Sequence, residues 1–479
     1  MPDLELDDMQ GLIARGYPDL KAATYVLLQI DDPGAARRWL ANLTDQVTPA
    51  PAHPADTALN LAVTRTGLER LGLPPDTIGQ FSNEFTAGMT TPHRRRMFGD
   101  LGPSAPEEWL WGGPRTPRPD LLLLLFARDV DTLRQRHTDL SSGFQGAVRE
   151  VLRLDSVHDL GGKEHFGFAD GLSQPTIEGL SGRKDIPPNT IRAGEFILGY
   201  VNEYGLYTDR PLLEPAADPA HVLPLDPEHS GRPDLGRNGT YLVFRQLAQD
   251  VRGFWRFVER TAREVYPAGG GPDRTWLAAK MVGRWPSGAP VTLAPDADDP
   301  RLGQANDFTY QYADELGLSC PIGSHVRRSH PRDSLDPEPG TLRSVNLDKR
   351  HRLLRRGREY GPPVDGVLGE APADDPERGL YFICLAANIS RQFEFVQHTW
   401  VNNPKFDRLY DEPDPLVGYH PDGAANFSIP SDPVRQRVRN LPQFVTTRGG
   451  AYFFLPSIRA LKYLGSLSSG ATRAASRPA

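Results

Sequence analysis

Cysteine is nearly absent: Cys320 and Cys384 are the only two among 479 residues. Two thiols build neither a disulfide framework nor a structural zinc site of thiolates. Long hydrophobic runs are missing too. The longest, LLLLLFA at 121–127, falls far short of a transmembrane helix. The opening MPDLELDDMQ is acidic and lacks the basic and apolar regions of a secretory leader. These absences predict a soluble, cytoplasmic protein with no membrane partner. Nor is there a surplus of positive charge: 54 Lys+Arg against 61 Asp+Glu give a net −7, no footprint for nucleic acid. The arginine runs at His93–Arg96 and Arg350–Arg358 are local and read as solvated surface.

Glycine and proline, 46 of each, are by contrast abundant and spread along the chain, which implies long ordered loops. The length calls for two domains or one doubled fold. A strand and helix pattern indeed occurs twice. ATYVLLQI (23–30) leads into DDPGAARRWLANL, with Asp31 or Asp32 as cap and Pro33 in the first turn, and LLLLLFAR (121–128) leads into DVDTLRQRHTDL. Later, TYLVFRQL (240–247) precedes a helix whose Val251, Phe254, Trp255 and Val258 share one face, and LYFICLAAN (380–388) precedes ISRQFEFVQHTW. The pattern predicts an α+β, duplicated ferredoxin-like fold: two antiparallel sheets backed by helices. Its halves should span 1–210 and 240–465, joined by a Pro/Asp/Gly-rich linker at 211–239. A disordered tail should follow at 466–479.

Three polar segments are candidates for chemistry. In EHFGFADGLSQP (164–175), Asp170 sits in a G-x-x-D-G frame among phenylalanines. Such a frame is either turn chemistry, Asp-Gly being suited to positive φ, or a backbone drawn close to a ligand with the acid aimed at it. In CPIGSHVRRSHPRD (320–333), His325 and His330 stand five apart, and Cys320 and His325 likewise. Metal chelation on a helix needs spacings of three or four, and an odd separation in a strand splits the side chains between faces. The segment therefore offers a single ligand, as haem iron takes, or else a hydrogen-bonded loop histidine. In HRLLRRGREYG (351–361), alternation turns one arginine inward, where it needs an anion, unless the pair lies at the surface.

The ordered set FGFADGLSQP, GEFILGY (194–200), VGRWPSG (282–288), CPIGSHVRRSHPR, LLRRGREYG, RQFEFVQHTW (391–400) and RGGAYFFLPS (448–457) resembles the dye-decolourising peroxidases, from about residue 55 to about 465. That resemblance implies two ferredoxin-like halves in a dimeric α/β-barrel-like arrangement, with one haem b per chain between the sheet and helices of the C-terminal half. It implies Asp170 as distal acid–base residue, beside Gly171 at the cofactor, and His325 as axial ligand of the haem iron. Arg355 becomes the distal arginine, stabilising developing charge and helping to hold the haem. Leu380 and Phe382 become the apolar cover of the distal face. Hydrogen peroxide and an aromatic or dye reductant are the implied partners. Glu394 and Asp414 are candidates for the hydrogen-bond partner of His325. Gly357 stands where some manganese-oxidising relatives carry an amide, which argues against that activity here. The alternative is a non-catalytic haem carrier on the same fold, which needs neither Asp170 nor Arg355.

Overall fold

The computed structural model describes residues 4–180, 190–265 and 273–467. Of the tail expected at 466–479, Ser466 still belongs to the last helix, and residues 468 onward lie outside the described ones.

Strand β1 (Ala22–Ile30) runs into helix α1 (Pro33–Thr44), capped by Asp32, whose carboxylate accepts the Ala35 N–H. Strands β2 (Thr57–Val63) and β3 (Leu121–Ala127) follow, then helix α2 (Val130–Ser141), capped by Asp129, and strand β4 (Val148–Ser156). The order across the sheet is β4-β1-β3-β2, all antiparallel. Every residue of β3 is buried, so this strand reads as an unbroken apolar run and not as an alternation.

The second half repeats the scheme. Strand β5 (Thr240–Gln249) and helix α3 (Val251–Val265) lead to helix α4 (Arg274–Val282). The short β6 (Leu354–Arg355), then β7 (Gly379–Ala386) and β8 (Val445–Leu455) complete the order β8-β5-β7-β6, the same 4-1-3-2 arrangement. This is the duplicated ferredoxin-like fold that the repeated pattern predicts. One feature differs from the expectation. The halves share a single sheet of nine strands, these eight and the short Arg358–Tyr360 beside β7, because the edges of β2 and β8 meet at Val63 and Phe454. The sheet does not close into a barrel.

The halves also pack face to face. Tyr25 of β1 meets Phe244 of β5 and Tyr381 of β7 edge-on, with ring centroids 5.3 and 5.4 Å apart. Helices cover the outer faces. The last helix, α5 (Ile458–Ser466), returns to pack on α1, where Gly465 lies against the backbone of Ala41. No helix among the described residues is long and apolar enough to cross a membrane.

The arginine runs are solvated surface only in part: His93 and Arg96 are exposed, whereas Arg94 and the arginines of 350–358 are buried or half-buried. Arg94 is buried, its Nε 2.6 Å from Glu394 Oε1. Arg356 donates to the carbonyls of Leu12 and Ile13, and Arg358 to those of Gly16, Tyr17 and Leu20. The Leu12 and Ile13 carbonyls end the one-turn helix Gly11–Ala14 and the other three lie in the irregular segment after it, so all need donors, which a planar guanidinium supplies in number. ISRQFEFVQHTW is helical as expected, but wound as π-helix over Ser390–Glu394 and Val396–Val401.

Candidate active site

A largely apolar cavity opens on the outer face of the second half. Its sheet wall comes from alternate residues of β5 and β7, with Val445 and Thr447 of β8 beside them. Leu380 and Phe382 of β7, with Leu247 and Arg245 of β5 directly opposite them, face the cavity, while Tyr381 and Ile383 point into the core between the halves. The far wall consists of the five-residue helical turn His325–Ser329 and the π-helical segment, through Val396 and Val401. Asp170, His325, Arg355, Leu380 and Phe382 all line this one space.

Asp170 is delivered by the loop 164–171. Gly167 and Gly171 have φ of +97° and +78°, which side chains resist, and a Cβ at either would meet no protein atom within 4 Å. Both glycines thus serve turn geometry, and the turn aims the acid. Gly171 is not among the residues lining the cavity; its N–H donates to Asp170 Oδ1 at 2.6 Å. The loop is pinned from behind by Glu164, whose carboxylate accepts the N–H groups of Phe166 (2.8 Å) and Phe168 (2.9 Å) and the Gln249 amide (2.8 Å). Burial pushes the Glu164 carboxyl up to about 7. Trp255 of α3 backs the loop by stacking on Phe168 and donating to the Phe166 carbonyl at 3.1 Å.

Arg355 reaches Asp170 with Nη1 2.6 Å from Oδ1. Alternation along the short strand sends it into the cavity, and its neighbour Arg356 to the opposite side. At Gly357 a Cβ would stand 2.2 Å from the Tyr381 carbonyl, so the close approach of β7 excludes any side chain. Burial raises the Asp170 carboxyl, but the charge and hydrogen bond of Arg355 and the Gly171 N–H outweigh it, and the group lies below the ordinary carboxylate range.

His325 opens its helical turn with Nδ1 2.9 Å from Asp414 Oδ2. Asp414 is therefore its partner, and Glu394 is not: Glu394 binds Arg94 and the Tyr452 hydroxyl in the core. Burial lowers the His325 imidazole, and Asp414 more than reverses this, so it lies above its ordinary value. Asp414 holds Nδ1 and leaves Nε2 as the atom available to a ligand in the cavity. His330 also lines the cavity but is tied through Nε2 to Asp348 at 3.1 Å, and burial together with Arg352 pushes it down to about 3.

The buried pair Arg245–Asp100, the loop-pinning Glu164 and the clasp of Arg328 on the carbonyls of Trp400 and Glu412 have no signal in the sequence. Glu164 and Arg328 sit inside the quoted segments 164–175 and 320–333, but the contacts with Gln249, Trp400 and Glu412 and the Arg245–Asp100 pair join positions far apart in the chain.

No family model matches the chain. It is 31% identical to a dye-decolourising peroxidase of Exidia glandulosa, across 96% of this chain and 86% of that one. It is 30% identical to a multifunctional dye peroxidase of Amycolatopsis, across 96% of each. A solved dye-decolourising-type peroxidase from Auricularia auricula-judae superposes with a TM-score of 0.78 at 28% identity, covering 97% of this chain and all (100%) of that one. The chain belongs to the dye-decolourising peroxidases. Members of this family are haem enzymes, and this peroxidase has a cavity suited to one. It pairs a largely apolar sheet wall with an imidazole, His325, whose Nδ1 is already held by Asp414, and sets an acid and an arginine in the same space.

Proposed function

We propose that this peroxidase holds one haem b per chain through His325, with Asp170 as the proton shuttle and Arg355 as its electrostatic partner. The observation that carries the reading is the 2.6 Å contact of Arg355 Nη1 with Asp170 Oδ1, in the cavity to which His325 presents its free nitrogen. When bound, the haem supplies the iron and the electrons that break the O–O bond of hydrogen peroxide. The chain's own part is proton and charge handling. Asp170, kept ionised by Arg355, takes the proton from the peroxide oxygen that stays and returns it to the oxygen that leaves. Arg355 offsets the negative charge that develops on the departing oxygen, in a site from which Leu380 and Phe382 displace water. Asp414 holds His325 in a fixed tautomer and raises its basicity as a ligand.

The substrates proposed are hydrogen peroxide and bulky phenols or dyes acting as one-electron donors. A related dye-decolourising peroxidase has been solved in complex with 2,6-dimethoxyphenol. A haem carrier would need His325 but not the Asp170–Arg355 pair. The distinguishing experiment is peroxide turnover in Asp170→Asn with haem content measured in parallel. Retained haem with turnover lost supports the shuttle, whereas turnover near wild type refutes it.

A further inference from the structure

His420 is buried (4% exposed), and both of its ring nitrogens face carbonyl oxygens. Nε2 lies 2.7 Å from the Asp414 carbonyl and Nδ1 2.9 Å from that of Pro442. A carbonyl oxygen only accepts hydrogen bonds, and a neutral imidazole has one N–H and one lone pair. The neutral ring would satisfy one contact and turn its lone pair against oxygen at the other. Only the ring carrying both protons donates to both, and bonds from a cationic donor are roughly twice as strong as neutral ones.

Neither Asp414 nor Pro442 lines the cavity, but each leads into residues that do, Leu416–Tyr419 for the first, Gln443 and Val445 for the second. Asp414 lies in the turn behind His325, and Pro442 leads into β8 of the sheet wall. On the helical side the turn is already fixed. The Asp414 N–H goes to the Val401 carbonyl at 2.9 Å, and its Oδ1 accepts from Leu416 and Val417 at 2.9 and 3.0 Å, leaving Oδ2 for His325. Arg328, a second buried cation, clasps the flanking carbonyls of Trp400 (2.9 Å) and Glu412 (2.8 Å). On the sheet side the connection runs through His420 and Gln443. Gln443 Oε1 accepts the His420 N–H at 2.9 Å, while its Nε2 donates to the carbonyls of Gly418 (2.9 Å) and Val445 (3.0 Å).

We propose that His420 is a positioning residue for the proximal histidine: held between the Asp414 and Pro442 carbonyls as a double donor, it anchors the Asp414 turn to the sheet. In this way it sets how strongly Asp414 binds His325 Nδ1. The inference rests on the reading of His325 as the haem ligand. A strong bond to Nδ1 gives the ligand more anionic character and favours ferric over ferrous iron; a slackened turn favours ferrous.

Two measurements on the holoenzyme test this. Nitrogen-15 NMR of the ferrous carbon monoxide complex, labelled at histidine, should show a hydrogen on each of the two His420 nitrogens; a single bare nitrogen overturns the double-donor geometry. His420→Leu and His420→Gln should raise the ferric/ferrous midpoint potential, a tenfold loss of ferric preference corresponding to about 59 mV for this one-electron couple. In an Asp414→Asn background the same substitutions should leave the potential unmoved, since the bond they act through has changed. A wild-type potential in a haem-loaded His420 variant overturns the proposal, as does an equal shift with and without Asp414. Should His420→Leu not fold, the glutamine variant and the wild-type NMR still decide. A wild-type spectrum without a histidine-bound haem would instead refute the assignment of His325.

Discussion

Replacing Arg355 with leucine should move the acid limb of peroxide turnover to higher pH. In the native site two effects act on Asp170 in opposite directions. Burial raises its carboxyl, and Arg355, at 2.6 Å, lowers it by more, helped by the Gly171 N–H. Leucine removes the charge and leaves the burial. Two unit charges about 4 Å apart interact by about 4 kcal/mol at an effective dielectric of about 20, and by about 1 kcal/mol in bulk water. At about 1.36 kcal/mol per unit, the carboxyl should rise by between about one and three pH units. The shuttle works as the ionised form. The native enzyme should therefore stay competent below the ordinary carboxylate value of about 3.9, and the variant should lose activity well above it. Overall rate should also fall, by about 10²–10³-fold, because the leaving oxygen loses its charge partner. The assay is kcat/KM for hydrogen peroxide across the acid range, normalised to haem content. A limb that stays in place, or moves to lower pH, would refute the argument that Arg355 is what keeps Asp170 ionised.

Three further outcomes are expected. Asp414→Asn should cost about 10–100-fold in activity or haem affinity and raise the ferric/ferrous potential, read by spectroelectrochemistry; an unchanged potential would remove Asp414 from the proximal account. Glu164 binds its proton more tightly folded than unfolded, its value rising from 4.5 to about 7. Its contribution is thus fully present below the unfolded value and is lost as pH rises toward 7, so Glu164→Gln should flatten the decline of stability over that interval in urea titrations at stepped pH. Trp255→Ala removes both the stack on Phe168 and the bond to the Phe166 carbonyl, and should cost about 3–5 kcal/mol in chemical denaturation. A loss under about 1 kcal/mol would show that the distal loop does not lean on α3.

The legible parts of this molecule are those encoded locally. The four strand and helix pairs were readable because each apolar run and each capped helix is a short-range signal, as at Asp32 and Asp129. The G-x-x-D-G turn was readable because its positive φ values demand glycine. What stayed hidden depends on contacts between distant segments. The single pairing of Val63 with Phe454 turns two sheets into one, yet no run of residues announces it. Arg94 and Glu394 are 300 positions apart, and each alone reads as a surface charge. The choice of Asp414 over Glu394 for His325 follows from the turn at 414–418, and spacing along the chain does not reveal it. The runs around Arg94 and Arg350–Arg358 misled for the same reason. Composition does not distinguish a solvated arginine from one that gathers stray carbonyls in the interior.

The most direct test of the central claim is a stopped-flow optical spectrum of the haem-loaded enzyme on mixing with stoichiometric hydrogen peroxide, beside Asp170→Asn and His325→Ala. The account predicts a prompt shift of the Soret band in the wild type, a retained but unshifted band in Asp170→Asn, and loss of the native band in His325→Ala. A prompt shift in Asp170→Asn at the wild-type rate, or an unaltered Soret band in His325→Ala, would contradict it.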